Sequence, residues 1–376
     1  MTHDRIGGFS IVFPIVLILV LAFGAHTLLS PAHAGPNSDA EEPTSHRKVI
    51  VDTDMGWDDT LSLIYLMKHP EVEILGVTVT GCGETFLESG VHNALALLQM
   101  GGIQAPVCVG ADTPLRFDHD FPKPFKKDMS QLMGLADSFP SLDRKPHAQK
   151  AWDFIANTLQ DTQDQVTILS LGGFTNLAKM LEERPDAELE KIERIVAMGG
   201  ALYVDGNVAA LNNAKEKWNQ GQAYATNYRA EFNIFIDPVA ASAIFDSSIP
   251  VTLVPLDACD YVMLEKSFIG RITAQDRLAS LARDIFKRKT GSSSEGIPVP
   301  IFDPLATALM AGSLQPNQLH GLNVGVSLTE VPEANRCGQT YVSTSLEDQR
   351  LIQVVQGVSQ KAFREDFART INQDLH

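Results

Sequence analysis

Short apolar runs alternate with helix-like hydrophobic spacing along most of this chain. Apolar and β-branched runs predict buried strands at residues 49–51, 72–80, 107–109, 166–170 and 192–198. Apolar positions three and four residues apart predict helices between them, at 61–67, 91–100 and 176–183. The tail from 322 to 371 is predicted to hold two further strands and a final helix. This alternation predicts a single α/β domain whose mostly parallel sheet is covered by helices.

Two polar stretches interrupt the alternation, at residues 112–146 and 205–228. The first is rich in Pro, Asp, Lys and Phe, and the second contains Asn, Gln, Lys and Trp218. Long loops inside a compact domain are commonly lids or binding loops. Surface insertions have a similar composition, so the pattern leaves both interpretations open.

The amino-terminal segment is expected to direct export rather than to join the fold. Residues 11–25 are almost wholly apolar, and Ala32-His33-Ala34 provides a small-residue cleavage site. The apolar run is shorter than the ~20 residues that a spanning helix needs, and Pro14 interrupts it, so a retained membrane anchor is the weaker interpretation. We therefore predict a cleaved signal peptide at 1–34, a flexible leader at 35–47, and a periplasmic or secreted protein.

The composition of the 376-residue chain limits its partners. Hydrophobic residues make up 44% of the chain, which is enough for a sizeable core in the predicted domain at 48–376. The formal net charge of −16 repels phosphate backbones, so a nucleic-acid polymer is not an expected partner. No C-x-x-C motif is present, which excludes a zinc ribbon and a thioredoxin motif. Disulfides and buried free thiols both remain open for the four cysteines, Cys82, Cys108, Cys259 and Cys337.

Four aspartates follow the first predicted strand within eight residues: Asp52, Asp54, Asp58 and Asp59. Helix capping accounts for one or two of them. Four converging carboxylates repel one another unless a cation compensates, and oxygen ligands select calcium or magnesium. An EF-hand beginning at Asp52 would need glycine where Trp57 stands, so that motif is excluded. A phosphohydrolase with Asp52 as its nucleophile stays open as a weaker alternative.

The same residues resemble the opening D-x-D-x-G-x-D-D motif of the inosine–uridine nucleoside hydrolase family. Later segments are similar to further family motifs in the same order. These segments are Leu171-Gly172-Gly173-Phe174-Thr175-Asn176-Leu177, Ala197-Met198-Gly199-Gly200, Glu231-Phe232-Asn233-Ile234-Phe235-Ile236-Asp237-Pro238 and Asp303-Pro304-Leu305-Ala306. The resemblance extends from about residue 48 to 371, and it implies a nucleoside hydrolase fold.

The resemblance also implies roles for individual residues. One Ca²⁺ would be held by Asp54, Asp59, Asp303 and the backbone carbonyl of Leu171, with Asp54 also taking a proton from the attacking water. The sugar would be bound by Asp58, Asn233, Glu231 and Met198, with Asn207 or Asn227 assisting at its 5′ side. A ring of carboxylates suits the positive charge that develops on ribose during glycosidic cleavage. The implied partner is a small nucleoside, and a homo-oligomer is compatible with the resemblance.

The local structure of two motifs is less certain from the sequence. Glu231 and Asn233 alternate as they would on a strand, with Phe232 and Ile234 on its other face. Asp303 precedes Pro304 as a helix N-cap would, and that position is compatible with metal binding.

The leaving-group side of the expected site departs from the family pattern. Phe302 stands where better-studied members carry a histidine, and Gly81-Cys82-Gly83-Glu84 replaces a Gly-Asn pair. Neither His119 nor His147 matches the family's His-Gly segment. Three explanations follow: aromatic stacking on the base by Trp57, Trp218 or Phe302, a different leaving group, or loss of turnover.

Hydrolysis of the N-glycosidic bond of a ribonucleoside, at a calcium-centred acidic site, is therefore the predicted function. A non-catalytic, calcium-dependent ribose- or nucleoside-binding protein is the alternative, and the missing histidine is the feature that favours it.

Overall fold

Nine strands form one sheet within residues 46–209, 226–291, 296–330, 335–344 and 350–375, which are the residues that the computed structural model describes. Their order across the sheet is β10-β13-β7-β6-β5-β1-β2-β3-β4. Neighbouring strands run parallel except for the pair of β10 with β13. The strands of this sheet are β1 Arg47–Thr53, β2 Val72–Val79, β3 Val107–Val109, β4 His147–Lys150, β5 Val166–Ser170, β6 Ile192–Met198, β7 Val251–Val254, β10 Gln318–Leu322 and β13 Ile352–Gly357.

Two antiparallel pairs lie outside the main sheet. They are β8 Met263–Leu264 with β9 Val299–Pro300, and β11 Val324–Val326 with β12 Thr340–Val342. The described helices are α1 Trp57–Met67, α2 Leu87–Met100, α3 Lys123–Ser130, α4 Ala151–Asp161, α5 Thr175–Glu183, α6 Phe232–Ile236, α7 Pro238–Phe245, α8 Leu256–Cys259, α9 Arg277–Thr290, α10 Asp303–Ala311 and α11 Gln360–Ile371.

The central strands are buried on both faces, which explains their continuous apolar sequences. In β1, Val49 and Val51 belong to one hydrophobic cluster, which includes α1, α2, α10 and α11. Ile50 points the other way, into a second cluster that includes α4, α5 and α7. Because helices cover both faces, ligands can approach the sheet from the edge where the parallel strands end.

The predicted α/β fold with a mostly parallel, helix-covered sheet is confirmed, and each strand and helix predicted before residue 200 is present. The prediction for the tail was wrong in number, because three described strands precede the final helix there: β11, β12 and β13. The short strand β4 and helices α3 and α4 were missed. Helix α3 lies inside the polar stretch at 112–146, while α4 has a buried apolar face at Trp152, Ile155 and Leu159 whose helical spacing could have indicated it.

Several predictions concern residues outside the described part of the chain. The signal peptide at 1–34, most of the leader at 35–47 and Trp218 all lie there. The first described strand, β1, begins at Arg47, the last residue of the predicted leader. Within the described residues, no helix combines the length and the apolar character needed to cross a membrane. All four cysteines are buried free thiols, and the disulfide alternative is therefore not supported.

Candidate active site

The loop between β1 and α1 is tied together by its own polar side chains. The Thr53 hydroxyl donates to the Asp59 carboxylate, and the backbone N–H of Met55 donates to the Thr53 hydroxyl at 2.9 Å. The N–H of Gly56 donates to Asp59 at 2.9 Å. Met55 adopts a positive φ of 58°, which is costly for a side chain of its size. The loop is thereby held in a shape that aims Asp54, Asp58 and Asp59 past the end of the sheet.

Two glycines allow neighbouring loops to approach Asp54 closely. A Cβ atom on Gly83 would lie 1.9 Å from the Asp54 carboxylate, and one on Gly172 would lie 3.1 Å from the Asp54 Cβ. The N–H of Glu84 donates to Asp54 Oδ2 at 3.0 Å, and the Thr85 hydroxyl donates to the Asp54 carbonyl at 2.6 Å. The loop after β2 therefore fixes the orientation of Asp54.

Asp52 does not join the other aspartates. Its Oδ1 accepts hydrogen bonds from Thr78 Oγ1 at 2.6 Å and from Asn176 Nδ2 at 2.8 Å. Burial raises the pKa of Asp52 to about 6, and these two hydrogen bonds oppose the shift. The expectation that four carboxylates converge was wrong for this residue. Asp52 lies inside β1 and its side chain bonds to β2 and α5, whereas the other three aspartates follow the end of the strand. A nucleophilic Asp52 has no access to the pocket described next, which removes the phosphohydrolase alternative.

A narrow pocket with a cavity volume of about 60 Å³ lies over the carboxyl ends of β1, β5 and β6. Nine residues predicted to bind the metal or the sugar line this pocket: Asp54, Asp58, Asp59, Leu171, Met198, Asn207, Glu231, Asn233 and Asp303. Four residues that were not assigned a role in metal or sugar binding complete the lining: Glu84, Phe121, Phe232 and Phe302. The structure thus brings the predicted set together, while the role of each member stays a prediction.

The acidic floor of the pocket offers a site for a cation. Carboxylate oxygens of Asp58, Asp59 and Asp303 all lie within 4.8 Å of one another. Asp54, which was predicted as a ligand, interacts with Asp59 beside this group, while Asp58 was predicted only to bind sugar. Hard oxygen donors at this density suit calcium or magnesium.

Burial and mutual repulsion disfavour the charged state of these groups when no cation is bound. Burial, followed by the charges of neighbouring aspartates, raises the pKa of Asp54 and Asp303 well above the ordinary value. Burial also raises the pKa of Asp58 to about 7, partly opposed by Lys289, and the pKa of Asp59 to about 7. A bound divalent cation would reverse this balance.

The opposite wall is built around Glu231 and Asn233. The interpretation of this segment as a strand was wrong: Glu231 is the N-cap of the short helix α6. Its carboxylate accepts from the N–H groups of Asn233 at 2.9 Å, Gly200 at 3.0 Å and Ile234 at 3.2 Å. A cap of this kind fixes the carboxylate at the pocket wall and starts the helix.

The Asn233 amide joins three segments of the site. Its Nδ2 donates to the carbonyls of Leu171 and Met198, each at 3.2 Å, and lies 3.4 Å from the Met198 sulfur. Asn207 supports the same helix, since its Oδ1 accepts from the N–H of Phe232 at 2.9 Å. Asn227 instead bonds to the Cys337 carbonyl at 2.9 Å and does not line the pocket. Asn207 is therefore the better of the two predicted candidates.

Aromatic rings line the remaining side of the pocket. Phe121, from the first long loop, stacks on Phe232 with ring centroids 4.0 Å apart. Phe302 also lines the pocket and is the N-cap of α10, so the expectation that Asp303 is the cap was wrong by one residue. The first long loop therefore contributes to the pocket, as one of its two interpretations predicted. Trp57 was a stacking candidate, but it is buried and does not line the pocket.

Glu84 and Lys289 were not assigned roles from the sequence. Burial, with the charges of Asp58 and Asp54, raises the pKa of Glu84 well above its ordinary value. Burial lowers the pKa of Lys289, while the charges of Glu84 and Asp58 act in the opposite direction. The Lys289 ammonium lies 4.2 Å from the centroid of the Trp57 ring. No motif signals Lys289, because 230 residues separate it from Asp59 in the sequence.

Comparison with known proteins agrees with this geometry. The family model for inosine-uridine preferring nucleoside hydrolases matches residues 49–365. The chain belongs to this family. The predicted resemblance, the enzyme class and hydrolysis of the N-glycosidic bond of a ribonucleoside are thereby confirmed.

Individual relatives are similar over most of the chain. Uridine nucleosidase 1 of Arabidopsis thaliana is 32% identical over 278 residues, which cover 72% of this chain and 76% of the relative. The pyrimidine-specific ribonucleoside hydrolase RihB of Escherichia coli O157:H7 is 30% identical, covering 64% of this chain and 68% of its own. The solved purine-preferring ribonucleoside hydrolase from Gardnerella vaginalis is 26% identical, with a TM-score of 0.68 over 87% of this chain and 98% of its own.

Proposed function

We propose that this protein is an exported, calcium-dependent ribonucleoside hydrolase that retains turnover. The observation that carries the proposal is the convergence of all nine predicted site residues on one pocket, from five separated segments of the chain. A calcium-dependent binding protein would need the cation ligands but no base held in a fixed orientation, so the oriented Asp54 favours turnover. The proposed export is supported by the signal-peptide pattern in the sequence of residues 1–34.

Calcium is proposed for the acidic floor because of its donor set. Asp58, Asp59 and Asp303 offer three mutually close carboxylate oxygens. Asp54 and the Leu171 carbonyl line the same pocket and add further oxygens. Calcium accepts ~6–8 oxygen ligands in flexible geometry, so a sugar diol and a water can complete its shell. When bound, the cation would lower the pKa of a coordinated water and orient the ribose hydroxyls.

The protein side chains divide the remaining work. Asp54 is held by the Glu84 N–H and accepts the proton of the attacking water. The carboxylates around it stabilise the positive charge that develops on the ribose ring. Asp58 accepts from a ribose hydroxyl, and Asn233, Glu231, Met198 and Asn207 bind the rest of the sugar.

The leaving base is proposed to sit against the aromatic side of the pocket. The stacked pair of Phe121 and Phe232 and the neighbouring Phe302 offer π-faces rather than a proton donor. Stacking on a base contributes about 1–3 kcal/mol per aromatic ring and tolerates different bases. The related proteins act on different bases according to their names, namely uridine, pyrimidine nucleosides and purine nucleosides. We therefore propose a broad base range for this chain.

The test is release of free base and ribose by the mature chain, beginning at Gly35. Purine, pyrimidine and nicotinamide ribosides would be incubated with and without a calcium chelator. The proposal expects chelator-sensitive release that added Ca²⁺ restores. Binding of nucleosides without release of base at long incubation would instead support the binding-protein alternative.

A further inference from the structure

The pocket holds a carboxylate that the fold leaves without a hydrogen-bond partner. Glu84 lines the pocket, and its backbone N–H donates a hydrogen bond to Asp54 Oδ2 at 3.0 Å. Its Oε2 atom is buried and has no hydrogen-bond partner among the described residues. A buried carboxylate oxygen without a donor is costly, so a ligand that brings a donor would be stabilised there. Glu84 therefore differs from Glu231, whose two carboxylate oxygens both accept from backbone N–H groups.

The position of Glu84 indicates which part of a ligand it would meet. The carboxylates that act on it most strongly are those of Asp58 and Asp54, at the acidic floor. Gly56, in the loop before α1, approaches it so closely that a Cβ there would lie 2.4 Å from Glu84 Oε2. The aromatic rings of Phe121 and Phe302 line other parts of the same pocket. Glu84 thus belongs to the sugar side of the site.

Lys289 provides the positive charge next to this part of the floor. It lies in the last turn of α9, where a cation is favoured by the helix dipole. Its ammonium packs over the face of Trp57, whose ring is 3% exposed, with the nitrogen 4.2 Å from the ring centroid. The charges of Glu84, Asp58 and Asp128 all act on it. Trp57 stands between Gly56, which packs against Glu84 Oε2, and Asp58, so the ammonium on its ring is held near both carboxylates.

From these contacts we propose that Glu84 accepts a hydrogen bond from a ribose hydroxyl and that Lys289, seated on Trp57, is the positioning residue that holds Glu84 at the sugar side. The proposal rests on the proposed ribonucleoside hydrolase activity and deepens it. Without a nearby cation, Glu84 would be repelled by Asp54 and Asp58 and would turn away from the pocket. With Lys289 in place, the carboxylate stays directed at the sugar.

Glu84→Gln removes the charge and keeps the shape of the side chain. A hydrogen bond to a charged acceptor is worth about 1.5–3 kcal/mol, so kcat/KM for uridine and inosine should fall roughly 10–100-fold. Inhibition constants of 2′-deoxyuridine and 3′-deoxyuridine would be measured in competition with the better ribonucleoside. The analogue that lacks the contacted hydroxyl should have the same inhibition constant for wild type and for Glu84→Gln. The other analogue should bind the variant more weakly than wild type, by a factor similar to the fall in kcat/KM.

Lys289→Met tests the positioning role. KM for the ribonucleoside should rise by about tenfold, because Glu84 is no longer held, while kcat changes less. Calcium affinity, measured by calorimetry, should increase, because one positive charge near the carboxylates is removed. Lys289→Arg should restore much of the KM, since it keeps the charge and the stacking on Trp57. If Lys289 had only a structural role, Lys289→Met would weaken calcium binding and substrate binding together. Lys289→Arg would then affect both to the same degree.

Two exposed residues give matched controls. Glu88→Gln changes a carboxylate on the first turn of α2, outside the pocket, and Lys287→Met changes a lysine of α9 that pairs with Asp284 at 2.7 Å. Both should leave kcat and KM unchanged. Wild-type protein that releases no base from any ribonucleoside would overturn the proposed function itself. Normal wild-type turnover, combined with an unchanged kcat/KM in Glu84→Gln or an unchanged KM in Lys289→Met, would overturn this inference alone.

Discussion

The two sides of the pocket are built in different ways. The acidic floor comes from residues that immediately follow buried strands or begin buried helices, and its side chains are tied by hydrogen bonds to backbone groups, as Asp54 is to Glu84. The aromatic side comes from Phe121 in a long loop, Phe232 in a five-residue helix and Phe302 at a helix cap. Phe121 and Phe232 hold their places by stacking on each other.

This difference indicates a division of labour. Hydrogen bonds to backbone groups specify direction, so the floor can hold charged groups within the tolerance that chemistry on the sugar requires. Stacked rings fix the plane of a bound base but not its outline, so the aromatic side can accept bases of different shapes. Changes to the floor should therefore abolish the reaction, and changes to the aromatic side should alter its specificity.

The largest effect is expected from Asp54→Asn. The substitution keeps the size of the side chain but removes the base that takes the proton of water, and it weakens the cation site. General-base catalysis alone contributes ~10²–10⁴-fold, so kcat should fall at least a thousandfold when both effects combine. Steady-state release of base from uridine or inosine measures this, with exposed Asp137→Asn as the control. Activity within tenfold of wild type would remove Asp54 from the mechanism.

Removal of the metal should change how stability depends on pH. Asp58 and Asp59 have pKa values raised to about 7 in the folded chain, against an ordinary value of 3.8. Between these values the metal-free folded chain binds more protons than the unfolded chain, so its free energy of unfolding falls as pH rises from about 4 to about 7.

Added Ca²⁺ should offset this loss. Protons and the cation compete for the same carboxylates, so the stabilisation by calcium should be larger at pH 7.5 than at pH 5.5. At a calcium concentration of 100 times its Kd the gain is ~2.7 kcal/mol. Thermal unfolding at the two pH values, with chelator or with calcium, gives the comparison. Equal stabilisation at both pH values would contradict carboxylate ligation by these groups.

Phe302→His should raise kcat rather than lower it, because it adds a proton donor on the leaving-group side of the pocket. A general acid is worth ~10²–10⁴-fold when well placed, and we expect at least a tenfold rise in kcat for uridine from an imidazole that is only approximately placed. The gain should be lost as pH rises through the histidine pKa, whereas Phe302→Leu should show no such pH dependence. A pH profile of Phe302→His identical to that of Phe302→Leu would show that this position does not reach the base.

Phe121→Leu should have a smaller effect, confined to binding. The change removes stacking against Phe232 and a π-face for the base, which together are worth about 1–2 kcal/mol. KM should rise roughly 5–30-fold for purine and pyrimidine ribosides, with kcat changed little. A fall in kcat without a change in KM would place Phe121 on the chemical step instead.

The smallest effect on activity is expected from Asp52→Asn. The new side-chain amide carries an N–H donor, whereas Thr78 and Asn176 both donate to this position in the wild type. The free energy of unfolding should therefore fall by about 1–3 kcal/mol. The calcium-loaded enzyme should keep kcat/KM within about threefold of wild type. Loss of activity comparable to that of Asp54→Asn would mean that Asp52 is needed for the reaction and not only for the fold.

The sequence by itself determined the α/β class and the residues of the acidic floor. Strands buried on both faces require continuous apolar runs, and an acidic motif directly after such a run must lie at the ligand-binding edge of a parallel sheet. These are local relations between neighbours in the chain, and they place the acidic motif at that edge before any coordinates. The separate roles of Asp54, Asp58 and Asp59 came from the family resemblance.

The tertiary structure decided which residues face the pocket and what stands beside them. It turned Asp52 away to Asn176, made Glu231 a helix cap rather than a strand residue, and placed Phe121 and Glu84 in the lining. It also brought Lys289 to the face of Trp57, across more than two hundred residues of sequence. Such contacts depend on how separate helices and loops pack, and packing depends on shape and distance that no short sequence pattern encodes.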